Sequence, residues 1–222
     1  MHQPSLSDPT KVQTDRLILA GLIFLCLVPL GGGVARLLGL AGGPTFENSR
    51  FFAAPWPVVI HIVSAALFTF LGAFQFAPAF RRRNPAWHRR AGRLLFVAGM
   101  ATGLSGLWMT VAYPIPPALQ GPLLWWFRLI FGSAMVVSLT LALAAILRKD
   151  AAGHRAWMIR GYALAMAAGT QVFTNLPWLL LFGPPEGMVR DWLLGAGWAI
   201  NLVVAEVLIR RQDRVLPKRT PA

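Results

Sequence analysis

Three of the four histidines lie in or beside long apolar runs, where imidazole is well suited to bind a metal or pass a proton. His61 stands inside such a run and, at helical spacing, shares one stripe with Ser64, Phe68, Gly72 and Gln75. An ionisable residue there faces the bundle interior, as a ligand-binding or proton-transfer site. The competing reading is a histidine that hydrogen-bonds across a helix interface.

His88 and His154 each open an apolar run at the foot of a small-residue face. One face carries Gly92, Gly99, Gly103 and Gly106, and the other carries Met158, Gly161, Ala165, Ala168 and Val172. Two flat faces could enclose a porphyrin, with His88 and His154 as the axial imidazoles of one b-type heme iron. Arg89, Arg93, Arg155 and Arg160 are near enough in sequence to pair with its propionates. Against heme stand two ordinary uses: Gly-x-x-x-Gly helix packing, as at Gly99 and Gly103, and interfacial histidines that contact lipid phosphate or cap a carbonyl.

A third group collects toward the opposite ends of the runs: Arg128, Gln171, Asn175 and Asn201, at depths comparable with His61. Together they could hold a quinone or another small hydrophobic ligand, with Arg128 on an anionic or carbonyl group. Alternatively, Arg128 snorkels to the headgroups.

Other chemistry is poorly supported. Within the runs the only carboxylate is Glu206, with Arg210 four residues on as the expected partner; ion-coupled transporters usually carry one near the midplane. Gly-x-Ser-x-Gly, phosphate-binding Gly loops and His-Glu-x-x-His are missing. The single Cys26 can form no internal disulfide.

The elements that must position these residues are membrane spans. The 222 residues are 56% hydrophobic and 13% charged, with a mean hydropathy of +0.56, outside the range of soluble domains. A polar segment, residues 1–16, precedes six apolar runs at about 17–35, 58–80, 91–113, 123–147, 155–182 and 192–209. These form one transmembrane domain over 17–210, followed by a basic tail, 211–222. The first run is too long for a signal-peptide core and lacks a clear cleavage site, so it is expected to be retained. Pro29 and the glycines at 31–33 should kink or fray it. The expected fold is all-α, a polytopic six-helix bundle.

Net charge is +13, but Arg and Lys lie in short segments between runs and not on a folded basic face. That pattern points to anionic lipid headgroups and away from nucleic acid. The loops after the second and fourth runs and the C-terminal tail are basic, which places both termini in the cytoplasm. Abundant Arg, Ala, Gly and Pro suggest a bacterium with a GC-rich genome, and hence the inner membrane.

His61, Gln75-Phe76, His88-Arg89-x-x-Gly92-Arg93 and His154-Arg155-x-Trp157-Met158-x-Arg160, in that order, resemble the predicted bacterial membrane proteins grouped as domain of unknown function 2306. The resemblance implies topology and membership, with no activity attached. At the level of fold the chain is also similar to ascorbate-reducible diheme cytochromes, whose four histidines on four consecutive helices hold two hemes. Here His61, His88 and His154 match and Arg128 stands where the partner of His61 belongs. The likeness therefore implies one heme at most, and membrane electron transfer with a quinone or redox partner. Three functions stay open: a one-heme redox protein, a heme-free binder of a quinone or small hydrophobic ligand, and a structural or assembly factor.

Overall fold

A computed structural model of the chain describes residues 9–45 and 48–215. It contains helices α1 (Pro9–Ala41), α2 (Pro55–Gln75), α3 (Pro78–Arg83), α4 (Pro85–Ala112), α5 (Pro122–Leu147), α6 (Ala151–Ala165), α7 (Ala167–Phe182) and α8 (Gly187–Val215). Proline opens α2, α3, α4 and α5, where its fixed φ suits the first turn and its missing N–H costs nothing. At the opposite turn, Lys149 adopts φ 63° and Asp150 caps α6 by accepting from Gly153 N at 2.9 Å.

Five helices, α1, α2, α4, α5 and α8, are long and apolar enough to cross a membrane, and the pair α6 and α7, bent by 43°, supplies a sixth span. Only 6% of the most apolar stretch of α1 is buried in the protein, which leaves that helix facing lipid on most sides. Leu27, Val97, Ile130, Val137, Leu180 and Val203 are likewise more than half exposed. Such a surface is stable only in hydrocarbon. The chain is a polytopic helical membrane protein.

The core forms where α2 packs on α4, α4 on α5, and α5 on α6. Phe68, Leu95, Ala98, Met135, Leu139, Tyr162 and Leu164 make its centre, joined by Cys26 of α1 and Met166 at the bend. The α2 stripe behaves as its spacing predicts, with Ser64, Phe68, Gly72 and Gln75 all buried.

Several boundaries differ from the sequence reading. The second span stops at Gln75 because Pro78 starts a separate short helix. Pro29 and its glycines do not interrupt α1, which also begins before Arg16 and continues to Ala41. The fifth span, expected to be continuous over 155–182, is broken at Met166. Asn201 bridges that break: its Nδ2 donates to Ala163 O at 2.9 Å and its Oδ1 accepts from Thr170 Oγ1 at 2.8 Å. Side chains thus satisfy backbone that lipid could not. The N-terminal segment before Pro9, Glu47 of the first loop and the basic tail beyond Val215 lie outside the described residues.

Candidate functional site

His61 is fixed by α4. Its Nδ1 lies 3.0 Å from Thr102 O and 3.2 Å from Ser105 Oγ. A carbonyl only accepts, so Nδ1 carries the hydrogen and neutral His61 keeps its lone pair on Nε2. Ser64 Oγ and Thr102 Oγ1, 2.9 Å apart and buried, extend the network across the helix pair. The ring fits because Gly106 faces it; a Cβ there would stand 3.2 Å from His61 Cε1.

His61 lines a cavity of about 840 Å³ bounded by α1, α2, α4, α5, α7 and α8. The cavity exists because α1 packs on α2 and α7 while leaving a gap toward α5. Contact with α7 is close: a Cβ on Gly169 would collide with the Leu25 backbone, 2.9 Å from its carbonyl carbon. Gly32 of α1 also lines the cavity, and no heavy atom lies within 4 Å of where its Cβ would be. Most of the wall is apolar, from Leu25, Leu30, Ile62, Met109, Phe131 and Met135 among others.

Polar groups enter from one end. Arg128, six residues into α5, and His61, six residues into α2, both lie roughly 9 Å below their helix starts, at 1.5 Å per residue. Arg128 Nη1 donates to Gln120 Oε1 at 2.6 Å, a neutral partner. Arg36 of α1 and Arg50 of the following loop also line the cavity, and their guanidinium carbons stand 5.1 and 4.4 Å from the centre of the Phe51 ring. Tyr113 closes the rim by donating to Ala54 O at 2.5 Å; burial raises its phenol above the ordinary value, so it remains a neutral donor.

Asp191, fully buried at the start of α8, holds this end together. Its Oδ1 accepts from Gly121 N at 3.1 Å, and its Oδ2 accepts from Leu123 N and Leu124 N at 2.8 and 3.0 Å. The otherwise unpaired N–H groups opening α5, the helix that carries Arg128, are thereby satisfied. Arg128 and Arg190 are both within electrostatic reach of this cluster.

The other predicted ligand residues divide. Gln171 lines the cavity, but its Nε2 donates to Leu194 O at 3.0 Å. Asn175 donates to Gln171 O at 2.7 Å within its own helix and does not line the cavity. With Thr174 Oγ1, which donates to Leu193 O at 2.7 Å, Gln171 joins α7 to α8.

His88 and His154 sit at the opposite end and line no part of this cavity. His154 Nδ1 donates to Ala142 O at 2.9 Å, and His88 Nδ1 is paired with Gln75 Oε1. His88, His154, Arg81 and Arg89 are close enough to interact electrostatically. Burial, then Arg155 and Arg82, pushes the Arg81 guanidinium below its ordinary value. Arg160 grips Glu206 of α8 with Nε at 2.5 Å and Nη2 at 3.1 Å while lying over Trp157. Glu206 therefore pairs with Arg160, not with the expected Arg210 alone. Arg93 is exposed, and its Nε donates to Arg89 O at 3.5 Å.

Anchoring Nδ1 on an oxygen is what an axial histidine needs, but the faces above these histidines are filled from Gly99 and Gly161 upward, while Gly92 has open space. A Cβ on Gly99 would meet Leu139 and Phe68, both at 2.8 Å; one on Gly103 would meet Val136 at 2.7 Å; one on Gly161 would meet Leu139 at 3.0 Å. α5 packs into the upper part of both faces, so no flat slot for a porphyrin is left there. Among the described residues no group of three or more His, Cys, Asp or Glu could hold a metal ion.

Arg36, Arg50 and Asp191 are the site residues that sequence reasoning missed. Arg36 stands just beyond the first run, Arg50 lies in the loop that follows, and Asp191 just precedes the sixth run. Comparison with curated proteins and with solved structures gives no match. A family model described as "Predicted membrane protein (DUF2306)" does match, over residues 58–209, from α2 into α8 and beginning after α1. The chain belongs to the DUF2306 family of predicted membrane proteins.

Proposed function

We propose that this protein is a membrane-embedded binding protein for a small hydrophobic molecule, a quinone or a lipid-like compound. The observation that carries the proposal is the cavity of about 840 Å³, within the range of roughly 300–1,000 Å³ that encloses a small ligand. Its apolar wall takes the ligand body, and its one polar end offers both hydrogen-bonding senses. Arg128 donates, and the Nε2 of His61 accepts. Support for binding, as opposed to packing alone, comes from this convergence of few polar groups on apolar space.

The same reading puts the polar end of the cavity on the outer side of a bacterial inner membrane, with both termini inside. The basic turns around Arg81–Arg83 and Arg148–Lys149 then face cytoplasmic headgroups.

Gly32→Leu tests the proposal, because Gly32 lines the cavity, an added Cβ there meets no atom within 4 Å, and leucine improves helix propensity. Native mass spectrometry of protein extracted gently from its own membranes should show a retained hydrophobic molecule on wild type and none on folded Gly32→Leu. Equal adducts on both proteins, or none on either, would overturn it.

A further inference from the structure

The hydrogen bonds around His61 fix its tautomer and leave one ring atom unspent. Ser105 Oγ donates to Ala101 O at 2.5 Å, so it is a lone pair of that hydroxyl that meets His61 Nδ1. Thr102 O, the other neighbour of Nδ1, can only accept. Both contacts require the hydrogen on Nδ1. The nearby hydroxyls of Thr102 and Ser64 serve backbone carbonyls, Ala98 O at 2.8 Å and His61 O at 3.2 Å, and not the ring. Among the described residues no carboxylate lines the cavity, and a buried imidazolium without an anion is costly. The ring is therefore neutral, with a lone pair on Nε2. Among the described residues that atom has no hydrogen-bond partner, although its side chain is part of the cavity wall.

A lone pair in water-poor space is satisfied only by a group that brings a hydrogen, and leaving it bare is unfavourable. Carbonyl, ester and ether oxygens have no hydrogen to give; an alcohol, a phenol or a hydroquinone has one. The surroundings of His61 set the rest of the molecule. Ile62 and Met109 line the cavity beside it, and so do Gly103 and Gly106 of α4, the second lying directly against the ring. These walls suit hydrocarbon.

We propose that the cavity selects a hydroxyl-bearing hydrophobic molecule, of the class of long-chain phenols and hydroquinones, whose O–H donates to Nε2 of His61. This assignment rests on the binding reading above and goes further by naming the head group. Of a quinone couple it is the reduced member that is held, because only that form has a hydrogen to donate. Thr102 O and Ser105 Oγ act as positioning groups: by keeping the hydrogen on Nδ1 they keep Nε2 an acceptor.

The test uses the full chain in phosphatidylcholine nanodiscs, with radiolabelled dodecylphenol and its methyl ether as probes, which differ only in the hydroxyl hydrogen and the methyl that replaces it. Specific binding is the amount above protein-free nanodiscs of the same lipid. Wild type should bind the phenol roughly tenfold more tightly than the ether, the worth of one hydrogen bond in water-poor space. His61→Phe and His61→Met remove the acceptor and keep the bulk, so both should lose that preference while still binding the ether. If neither variant folds, nitrogen NMR of histidine-labelled His2→Ala protein replaces them. One hydrogen-free ring nitrogen should then shift with the phenol and stay in place with the ether; His88 and His154 line no part of the cavity. Equal binding of the two probes by wild type overturns the hydroxyl head and leaves the cavity reading standing. A preference that survives in either folded variant, or a spectrum in which no ring nitrogen moves, overturns the role of His61. If neither probe binds above protein-free nanodiscs, both readings fall.

Discussion

Leu139 occupies the space that a side chain on Gly99 would need: its Cδ1 lies 2.8 Å from the position of the missing Cβ. The other methyl of the same leucine, fully buried, lies 3.0 Å from the equivalent point on Gly161. One side chain of α5 therefore fills the notches of α4 and α6 together. Leu139→Ala should lower stability by about 2–5 kcal/mol, as expected for a large-to-small change in a packed core. Gly99→Leu should lower it by about 1–3 kcal/mol through overpacking. Thermal unfolding of the purified protein in one fixed detergent checks both. A midpoint unchanged by either substitution would mean that the three helices are not locked at this point.

The filled notch also predicts a spectrum. Dithionite-reduced minus oxidised difference spectra of the purified protein, produced with heme supplementation, should lack a b-type alpha band. Nδ1 anchoring of His88 and His154 is compatible with axial ligation. Space argues otherwise, since Leu139, Phe68 and Val136 stand against Gly99, Gly103 and Gly161, while Gly92 has open space. A band lost in both His88→Ala and His154→Ala would show that α5 moves aside to admit a porphyrin.

Asp191 and Gly121 form the second structural prediction. Asp191→Ala leaves three N–H groups at the head of α5 without their acceptor, at a cost of about 2–4 kcal/mol for a lost cap and charge-assisted bonds. Asp191→Asn keeps one carbonyl oxygen and should cost less. Gly121→Ala should resemble Asp191→Ala, because its Cβ would intrude on the carboxylate, 2.7 Å from Oδ1. The ordering of the three unfolding midpoints is the measurement. Equal midpoints for Asp191→Ala and wild type would show that water caps the helix instead.

The spans were legible because length and hydropathy are properties of contiguous sequence, and the α2 stripe because 3.6-residue periodicity is equally local. Partnerships between distant segments were not. Glu206 has Arg210 one turn away, and spacing alone offers that pair; Arg160, which takes the bidentate contact, is 46 residues distant. The carboxylate of Asp191 is likewise 67 residues from Leu124. Glycine stripes were correctly read as faces that accept something, but the sequence did not say whether a helix backbone, a cofactor or a leucine fills them. The bend at Met166 left no proline signal. Asn201 bridges it, donating to Ala163 O and accepting from Thr170 Oγ1, while Pro29 and Pro177 both sit inside continuous helices. His61 and Arg128 were placed at one depth by counting from the run ends, and both line the cavity; Arg36 and Arg50, which line it too, come from α1 and its loop, whose packing the sequence did not show.

Orientation is open to a direct chemical test because the chain carries one cysteine, Cys26, which is 2% exposed and gives little background labelling. Single cysteines at Glu186, between α7 and α8, and at Asn84, between α3 and α4, are suitable, since both positions are exposed. Asn48 is unsuitable: it is buried and donates to Gly39 O and Gly43 O, each at 3.2 Å, so a substitution would disturb the end of α1. Gln120 is unsuitable because Arg128 holds it. With the basic turns inside, a membrane-impermeant maleimide added to intact spheroplasts should label Glu186→Cys and leave Asn84→Cys unlabelled until the membrane is opened. The polar end of the cavity lies on the same side as Glu186, so labelling there also assigns the side of the membrane nearest Arg36, Arg50 and Arg128. Labelling of Asn84→Cys in intact cells, with Glu186→Cys protected, would turn the whole bundle over and make the cavity open toward the cytoplasm.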